Sequence, residues 1–409
     1  MIIVGVDWAR DKHDYCIQDH EGIVLRAGVV AHDWSALEKL GELIDEVEST
    51  RSSVHVALEQ HDGALLAWLL DSGFTVYGIN PKSADRARDI YRPAGGKDDK
   101  TDAQVLADLL RNNLKRFRPL DAQSEQTLHL KSLARLRMQL MHEKTSLMQR
   151  LRTILAEWCP SVSKLCKDFN RAWQRRLLER WHLHEDLIKA HGKSITVFLK
   201  KNRISEATRE KVQAVRRTDP TFIPDGRKDA LRFAISLVLE QLQLLIDRLE
   251  RLDQDLAKSL EEHPSFNVFH SLPVKGVPTL AMLTSAFGDR RTTSPMEWRQ
   301  LAARWGVAPV TYASGKSRSV RRRKACDSNM LQALSDFAFT TAFSISGCWA
   351  REFYDRKRQD GQDHHESLRA VALRWVKIMY RMWQDGTQYS EQYHRNRMQQ
   401  QQSKTIDAR

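Results

Sequence analysis

The chain has 409 residues, a formal net charge of +13 and 41% hydrophobic residues. That length accommodates two or three domains with real cores. A basic surplus of this size points to nucleic acid as the partner. No run of about 18 apolar residues offers a membrane-spanning helix, and the five scattered cysteines, Cys16, Cys159, Cys166, Cys326 and Cys348, exclude a disulfide framework and lack zinc-finger spacing. A reducing cytoplasm is the expected setting.

The first stretch, residues 1–120, alternates strands and helices. It opens on "IIVGVDW", a strand pattern rather than a signal peptide, which ends near Asp7. "HDYCIQDHEG" and "IVLRAGVVAH" are two further strands, with Glu21-Gly22 as the turn. "DWSALEKLGELIDEV" has helical periodicity, and "VHVALEQ" is a strand ending on Glu59. "GALLAWLLDSG" is a helix capped at Gly73, and "TVYGINP" is the next strand. Such alternation predicts a mixed α/β sheet with short crossovers.

Residues 121–263 read as helical. Leu231, Ile235, Val238, Leu242, Leu245, Leu249, Leu252 and Leu256 alternate by four and three, a heptad seam. Two partners suit it: an internal helical hairpin, or a second copy of the chain in a coiled-coil dimerisation region. The basic stretch 160–228 has no clear assignment. Residues 264–386 form a third, mainly helical region. Its helices are the apolar segment after "SLPVKG", then "EWRQLAAR" stopped by Gly306 and Pro309, then "MLQALSDFAFTTAF" and "ESLRAVALRWVKIMYRMW". Between the second and third lies a polar, basic loop, "TYASGKSRSVRRRKACDSN". Residues 387–409, with "QQQQSK", are expected to be a disordered polar tail.

Two sets of residues carry chemistry. Asp7 and Glu59 end strands, and neighbouring strand ends lie about 5 Å apart. Asp99 and Asp102 are three apart in "KDDKTDAQVLADLL", on one face of a helix, whereas Asp98 falls off that face. Four convergent carboxylates repel one another unless cations neutralise them. Mg²⁺ favours carboxylate oxygens together with water and phosphate, and paired ions serve phosphodiester chemistry. A bland reading, with strand-end and helix-start acids favoured by the helix dipole, stands beside this one. The second set is the run Lys316, Arg318, Arg321, Arg322, Arg323 and Lys324, a candidate phosphate-binding surface. Ser314 precedes it, and a serine in a cationic loop is a candidate nucleophile toward a phosphodiester. Ser317 and Ser319 are equally small and polar.

At these residues the sequence resembles the DEDD-type transposases of bacterial insertion sequences, the bridge-RNA-guided serine recombinases. The matching segments are "GVDWARDKHDYCIQDHEG", "ALEQHDG", "KDDKTDAQVLADLL", "SLPVKGVPTLA", "FGDRRTTSPMEWRQLAARWGVAP" and "YASGKSRS", in order along most of the chain. The resemblance implies an RNase H-like (RuvC-like) N-terminal domain whose acidic tetrad is Asp7, Glu59, Asp99 and Asp102. It implies a nucleophilic Ser314 in a C-terminal transposase domain, and a helical middle joining the two. It further implies DNA strand cleavage and rejoining through a serine-linked intermediate, Mg²⁺ as cofactor, donor and target DNA, a non-coding guide RNA, and a homo-oligomer, dimer or tetramer. Three other readings compete with it. A metal-only, RuvC-like junction-resolving nuclease would leave Ser314 idle. An actin-like ATPase would need a second glycine-rich phosphate loop, which is missing, and "AGGKDD" is no P-loop because Tyr91 stands where its first glycine belongs. A non-catalytic RNA-binding protein explains the charge but not the four acids.

Overall fold

The computed structural model describes residues 1–59, 63–91, 99–120, 122–289, 297–314 and 317–396, with backbone alone at 91, 99, 100, 317 and 318. The chain divides into two compact units, Met1–Gln123 and Ser124–Arg409.

The first unit contains strands β1 (Ile2–Trp8), β2 (Lys12–Gln18) and β3 (Val24–Ala31), helix α1 (Trp34–Asp45), β4 (Val54–Leu58), α2 (Ala64–Asp71), β5 (Thr75–Gly78), α3 (Pro81–Tyr91) and α4 (Asp99–Asn113). One sheet orders its strands β3-β2-β1-β4-β5. The first three form an antiparallel meander, and β4 and β5 run parallel to β1. This mixed sheet is consistent with the RNase H-like arrangement that the resemblance implies. Between β2 and β3, one carboxylate oxygen of Asp19 accepts the backbone N–H groups of Glu21, Gly22 and Ile23, each at 2.9 Å, which pins the expected turn. Strand alternation sorts β1 onto two cores. Ile2, Val4 and Val6 pack with Leu37, Leu40, Leu65 and Leu69 of α1 and α2. Ile3 faces the other way, against Leu106 and Leu110 of α4.

Helix α3 has no counterpart among the sequence-derived elements. Its start is nonetheless conventional: Pro81 occupies the first turn, and the Asn80 side chain accepts from the Lys82 N–H at 3.0 Å. Its polar face weakened the helical pattern, because α3 rests only a narrow small-residue stripe, Ala84 and Ala87, on the unit.

The second unit is built on two long helices, α5 (Glu125–Trp158) and α11 (Asp225–Glu261). Leu130 and Ala134 of α5 meet Leu256 and Leu260 of α11, while Leu151 and Leu155 meet Ile235, Leu239 and Leu242, so the pair is antiparallel. Arg137 and Asp253 add an ion pair across it. The heptad seam is therefore covered from inside the chain, as in the hairpin reading, and its leucines are not offered to a second copy. Between the long helices come α6 (Pro160–Leu165), α7 (Ala172–Arg180), α8 (His184–Lys189), α9 (Gly192–Lys201) and α10 (Glu206–Arg216). They share a core with one end of α5 and α11 through Leu177, Leu187, Phe198, Leu199 and Val212. A fork-like pair, with Arg232 Nη2 at 2.7 Å from Asp186 Oδ1 and Nε at 3.2 Å from Oδ2, fastens α8 to α11. The stretch that had no assignment is thus a folded helical insert. Residues 160–228 hold seventeen Lys and Arg against eight Asp and Glu, so most of the chain's surplus charge sits on this insert.

The other end of α5 and α11 carries α12 (Phe266–His270), α13 (Val277–Phe287), α14 (Trp298–Arg304), strands β6 (Val310–Ser314) and β7 (Ser317–Arg321), and helices α15 (Ser328–Phe343), α16 (Trp349–Gln359) and α17 (His364–Asp385). Its centre is aromatic: Trp375 lies 5.1 Å from Phe337 and 5.0 Å from Trp349, ring centre to ring centre. A buried chain of hydrogen bonds ties this bundle to the start of α5. His263 Nδ1 accepts from the Ser265 N–H, His263 Nε2 lies 2.8 Å from Thr127 Oγ1, and Thr127 Oγ1 donates to Asp289 at 2.6 Å. Burial alone would raise the Asp289 pKa; the hydrogen bonds from Thr127 and Ser124 outweigh it and hold the carboxyl below its ordinary range.

Three sequence expectations change here. The polar, basic loop is a β-hairpin, β6 paired with β7. Helix α16 stands between the two expected C-terminal helices; its face of Trp349, Ala350 and Tyr354 is buried among six charged neighbours that masked the pattern. The polar tail does not begin at residue 387: residues 391–396 are helical, the Glu391 carboxylate accepts from the Trp349 N–H at 2.8 Å, and Tyr389 stacks 5.2 Å from Trp375. Residues 397–409 lie outside the described ones. All five cysteines are free thiols, and no described helix is long and apolar enough to cross a membrane.

The internal assignment of the seam makes a checkable statement. Leu242 is fully buried against α5 and the insert. Leu242→Ala is expected to destabilise the chain by about 2–5 kcal/mol, read as a lower urea midpoint. Light scattering should meanwhile give an unchanged particle mass; a smaller, still folded particle would move the seam to an interface between copies.

Candidate active site

The site begins with an approach of backbone to backbone. A Cβ on Gly5 would lie 1.9 Å from the Ala103 carbonyl oxygen and 2.7 Å from the Ala107 nitrogen. Only glycine lets α4 rest on β1 this closely. Because Ile3 packs on Leu106 and Leu110 further along, α4 runs against the direction of β1. Its first turn therefore lies toward the Asp7 end of the strand. Asp7 is two residues beyond Gly5, on the same face of the sheet.

The neighbouring strands bring their acids to the same face. The parallel register pairs Gly5 with Ala57 and Val6 with Leu58, so Glu59, the residue after β4, comes level with Asp7. Ala57 faces α4 and so, by alternation, does Glu59. On the other side, the antiparallel register sets Asp14 of β2 directly opposite Asp7. Asp14 is buried, and Lys12 Nζ lies 4.0 Å from it. Helix α4 adds Asp102, with its side chain only 2% exposed. Asp99 is the first residue of α4, and its side chain lies outside the described ones.

Helix α3 contributes a cation to this group. Arg88 Nη2 donates to Glu59 Oε2 at 3.0 Å, and Nη1 donates to Asp85 Oδ1 at 2.9 Å. Its Nε lies 3.3 Å from Asp102 Oδ1, an ion pair without hydrogen-bond alignment. Burial pulls the Arg88 pKa down, but the hydrogen bond to Glu59 and the charges of Asp102, Glu59 and Asp7 prevail and hold it above its ordinary value. Among the described residues no three His, Cys, Asp or Glu side chains come close enough to share a metal ion. The donor set itself fits a hard divalent cation: all-oxygen carboxylates from β1, the end of β4 and α4, with a guanidinium already standing among them as positive charge.

Ser314 belongs to the second unit and is exposed at the end of β6, paired with Ser317 across the hairpin. The register places Tyr312, Ser314, Ser319 and Arg321 on one face. Tyr312 is 57% exposed, and the Arg321 guanidinium stands 5.4 Å from its ring centre. Arg321, Arg322 and Lys324 are exposed and Arg323 is partly so; Arg318 lies on β7 opposite Ala313, and Lys316 is outside the described residues. An exposed aromatic ring beside cations and a hydroxyl is a surface suited to a nucleic-acid strand.

Sequence reasoning therefore missed Asp14, Arg88 and Tyr312. A carboxylate within a strand of buried residues was the available signal for Asp14. Arg88 had none, since its helix went unseen.

Two family models match this chain. A model described as a transposase, the DEDD domain of IS110 elements, covers residues 4–160, and one described as the transposase of the IS116/IS110/IS902 family covers residues 267–355. The first contains all four candidate acids and the second contains Ser314 with its cations. Similar proteins include the proposed mini-circle transposase for IS117 of Streptomyces coelicolor, 27% identical over 96% of each chain. The uncharacterized 44.8 kDa protein of insertion element IS116 from Streptomyces clavuligerus is 26% identical over 94% of this chain and 95% of its own. The uncharacterized 43.6 kDa protein of IS110 from Streptomyces coelicolor is 27% identical over 86% and 87%. These matches identify transposase domains in this chain, the DEDD domain at residues 4–160. More particularly, the chain carries both transposase domains of the IS110/IS116/IS902 family.

The Gly5 contact is testable without any substrate. Gly5→Ala should force α4 off the sheet and cost about 2–4 kcal/mol. Thermal unfolding of the variant should show a clearly lowered midpoint, and an unchanged midpoint would mean that α4 does not rest on β1 as described.

Proposed function

We propose that this transposase cuts and rejoins DNA strands through a covalent link to Ser314, at a site completed by Asp7, Glu59, Asp99 and Asp102. The observation that carries the reading is the placement of Asp7, Glu59 and Asp102 on one face of the sheet, under the first turn of α4. Such a group calls for positive charge: two unpaired carboxylates about 5 Å apart repel by about 3 kcal/mol at an effective dielectric of about 20. Asp7, Glu59, Asp99 and Asp102 would hold divalent metal, Mg²⁺ in this reading. A bound ion would supply polarisation of a phosphate oxygen and neutralisation of charge on the leaving oxygen.

Ser314 supplies the nucleophile in this reading. Its Oγ attacks the phosphorus, its proton passes to a base, and the P–O bond to the departing strand breaks. One phosphodiester replaces another, so the reverse step rejoins a strand without nucleotide hydrolysis. Arg321, Arg322, Arg323 and Lys324 would hold the phosphates on either side, together with Lys316 and Arg318. The basic insert extends the cationic surface, which supports binding of a guide RNA as well as donor and target DNA. Because Ser314 and the carboxylates belong to different units, they meet at one phosphate either within a chain or between the chains of a homo-oligomer. A bacterial cytoplasm is the setting for such an element.

Two measurements test this. Protein, RNA and DNA incubated with Mg²⁺ should yield a protein–DNA adduct that survives denaturation. Ser314→Ala should lose adduct and cleavage while retaining nucleic-acid binding, and Asp102→Asn should lose cleavage. Normal cleavage by Ser314→Ala would instead identify a metal-only nuclease in which water attacks. Separately, replacing Arg321, Arg322 and Arg323 by Ala should reduce the slope of log affinity against log salt by up to about three units; an unchanged slope would place the phosphate contacts elsewhere.

A further inference from the structure

We propose that Arg88 is the resident counter-cation of the carboxylate site, and that it exchanges with the divalent ion. It holds Glu59 and Asp102 while the site lacks an ion and gives them up when one binds. This rests on the reading above, in which those carboxylates are metal ligands.

The geometry carries the inference. Arg88 is the only one of the site's charged groups that comes from α3, and it reaches two of the candidate ligands at once: Glu59 Oε2 at 3.0 Å and Asp102 Oδ1 at 3.3 Å. A guanidinium on these carboxylates stands within about 4–5 Å of any divalent cation bound to them, and the two positive charges repel. The two occupants therefore compete for these carboxylates.

Arg88 also has somewhere to go. Its third contact is Asp85, one turn earlier on the same helix, and that carboxylate is 66% exposed. Pivoting about Asp85 would keep one ion pair intact while the guanidinium leaves Glu59 and Asp102. Once released, it is available to a DNA phosphate, whose oxygens a guanidinium suits. The charge that silences the empty site becomes available to the substrate of the filled one.

The experiment uses the full chain stripped of metal and titrated with Mn²⁺. Calorimetry reads affinity, and the fluorescence of Trp8, next to Asp7, gives a local reading. Thermal melts with and without Mn²⁺ give a third. Arg88→Gln should bind Mn²⁺ about tenfold more tightly than the parent. It should melt lower without the ion and gain more from its addition. Arg88→Lys keeps the charge but loses the fork, so it should tighten binding by a smaller factor; it also serves if Arg88→Gln does not fold. Asp102→Asn should abolish or strongly weaken binding in every background. Equal or weaker Mn²⁺ binding by both Arg88 variants, with Asp102-dependent binding intact in the parent, would overturn the role of Arg88 and leave the metal reading standing. No Asp102-dependent binding in the parent would overturn both.

Discussion

The contact of α4 with β1 at Gly5 is the constraint on which the candidate site depends. A helix normally stands off a sheet by the length of its side chains. Here Ala103 and Ala107 on one side and Gly5 on the other remove that spacing. Asp102, the residue before Ala103, is thereby lowered to the plane of the strand ends, where Asp7 and Glu59 emerge. Any side chain at residue 5 would lift the helix, and with it two of the four acids. The acids sit at the end of this contact, where the strands stop.

Bringing the acids together creates an electrostatic problem that the fold answers with Arg88. The guanidinium turns its three nitrogens to three acids, so a single side chain meets an exposed carboxylate, a partly buried one and a buried one. A lysine would offer a point charge to only part of this set. The helix that delivers the arginine, α3, makes little core of its own. Its position after β5 and its cation matter more than its buried surface.

The second unit is organised by one pair of helices. Helices α5 and α11 run antiparallel, with the basic insert at one end and the serine-bearing bundle at the other. The leucine seam is consumed in joining them. That leaves the cations of the insert and the exposed face of the β6–β7 hairpin at the surface, one rich in charge alone and one pairing charge with an aromatic ring and a hydroxyl.

How far the chain could be read without coordinates follows from the range of the interactions involved. Strands and helices of the first unit with strong periodicity, the Glu21-Gly22 turn and the start of α4 were legible, because each rests on neighbours in sequence. So were the four acids and Ser314 as residues of interest, and the basic character of the loop. What was not legible is whatever depends on a partner far along the chain. The seam's periodicity is the same whether α5 or another molecule covers it, and only packing chose α5. The basic loop became a hairpin because cross-strand pairing of Val310 with Arg321 outweighs local polarity. Residues 391–396 are held by Trp349 through Glu391 and His394, which no local pattern announces. The pairing of Asp7 with Asp14, and of Glu59 and Asp102 with Arg88, is likewise a product of register and helix placement. The sequence by itself determined the alternation of elements, the charge and the chemical types at the site, since these are properties of residues and their near neighbours. The tertiary structure alone decided which charges meet, because that is set by contacts between segments that the chain brings together only when folded.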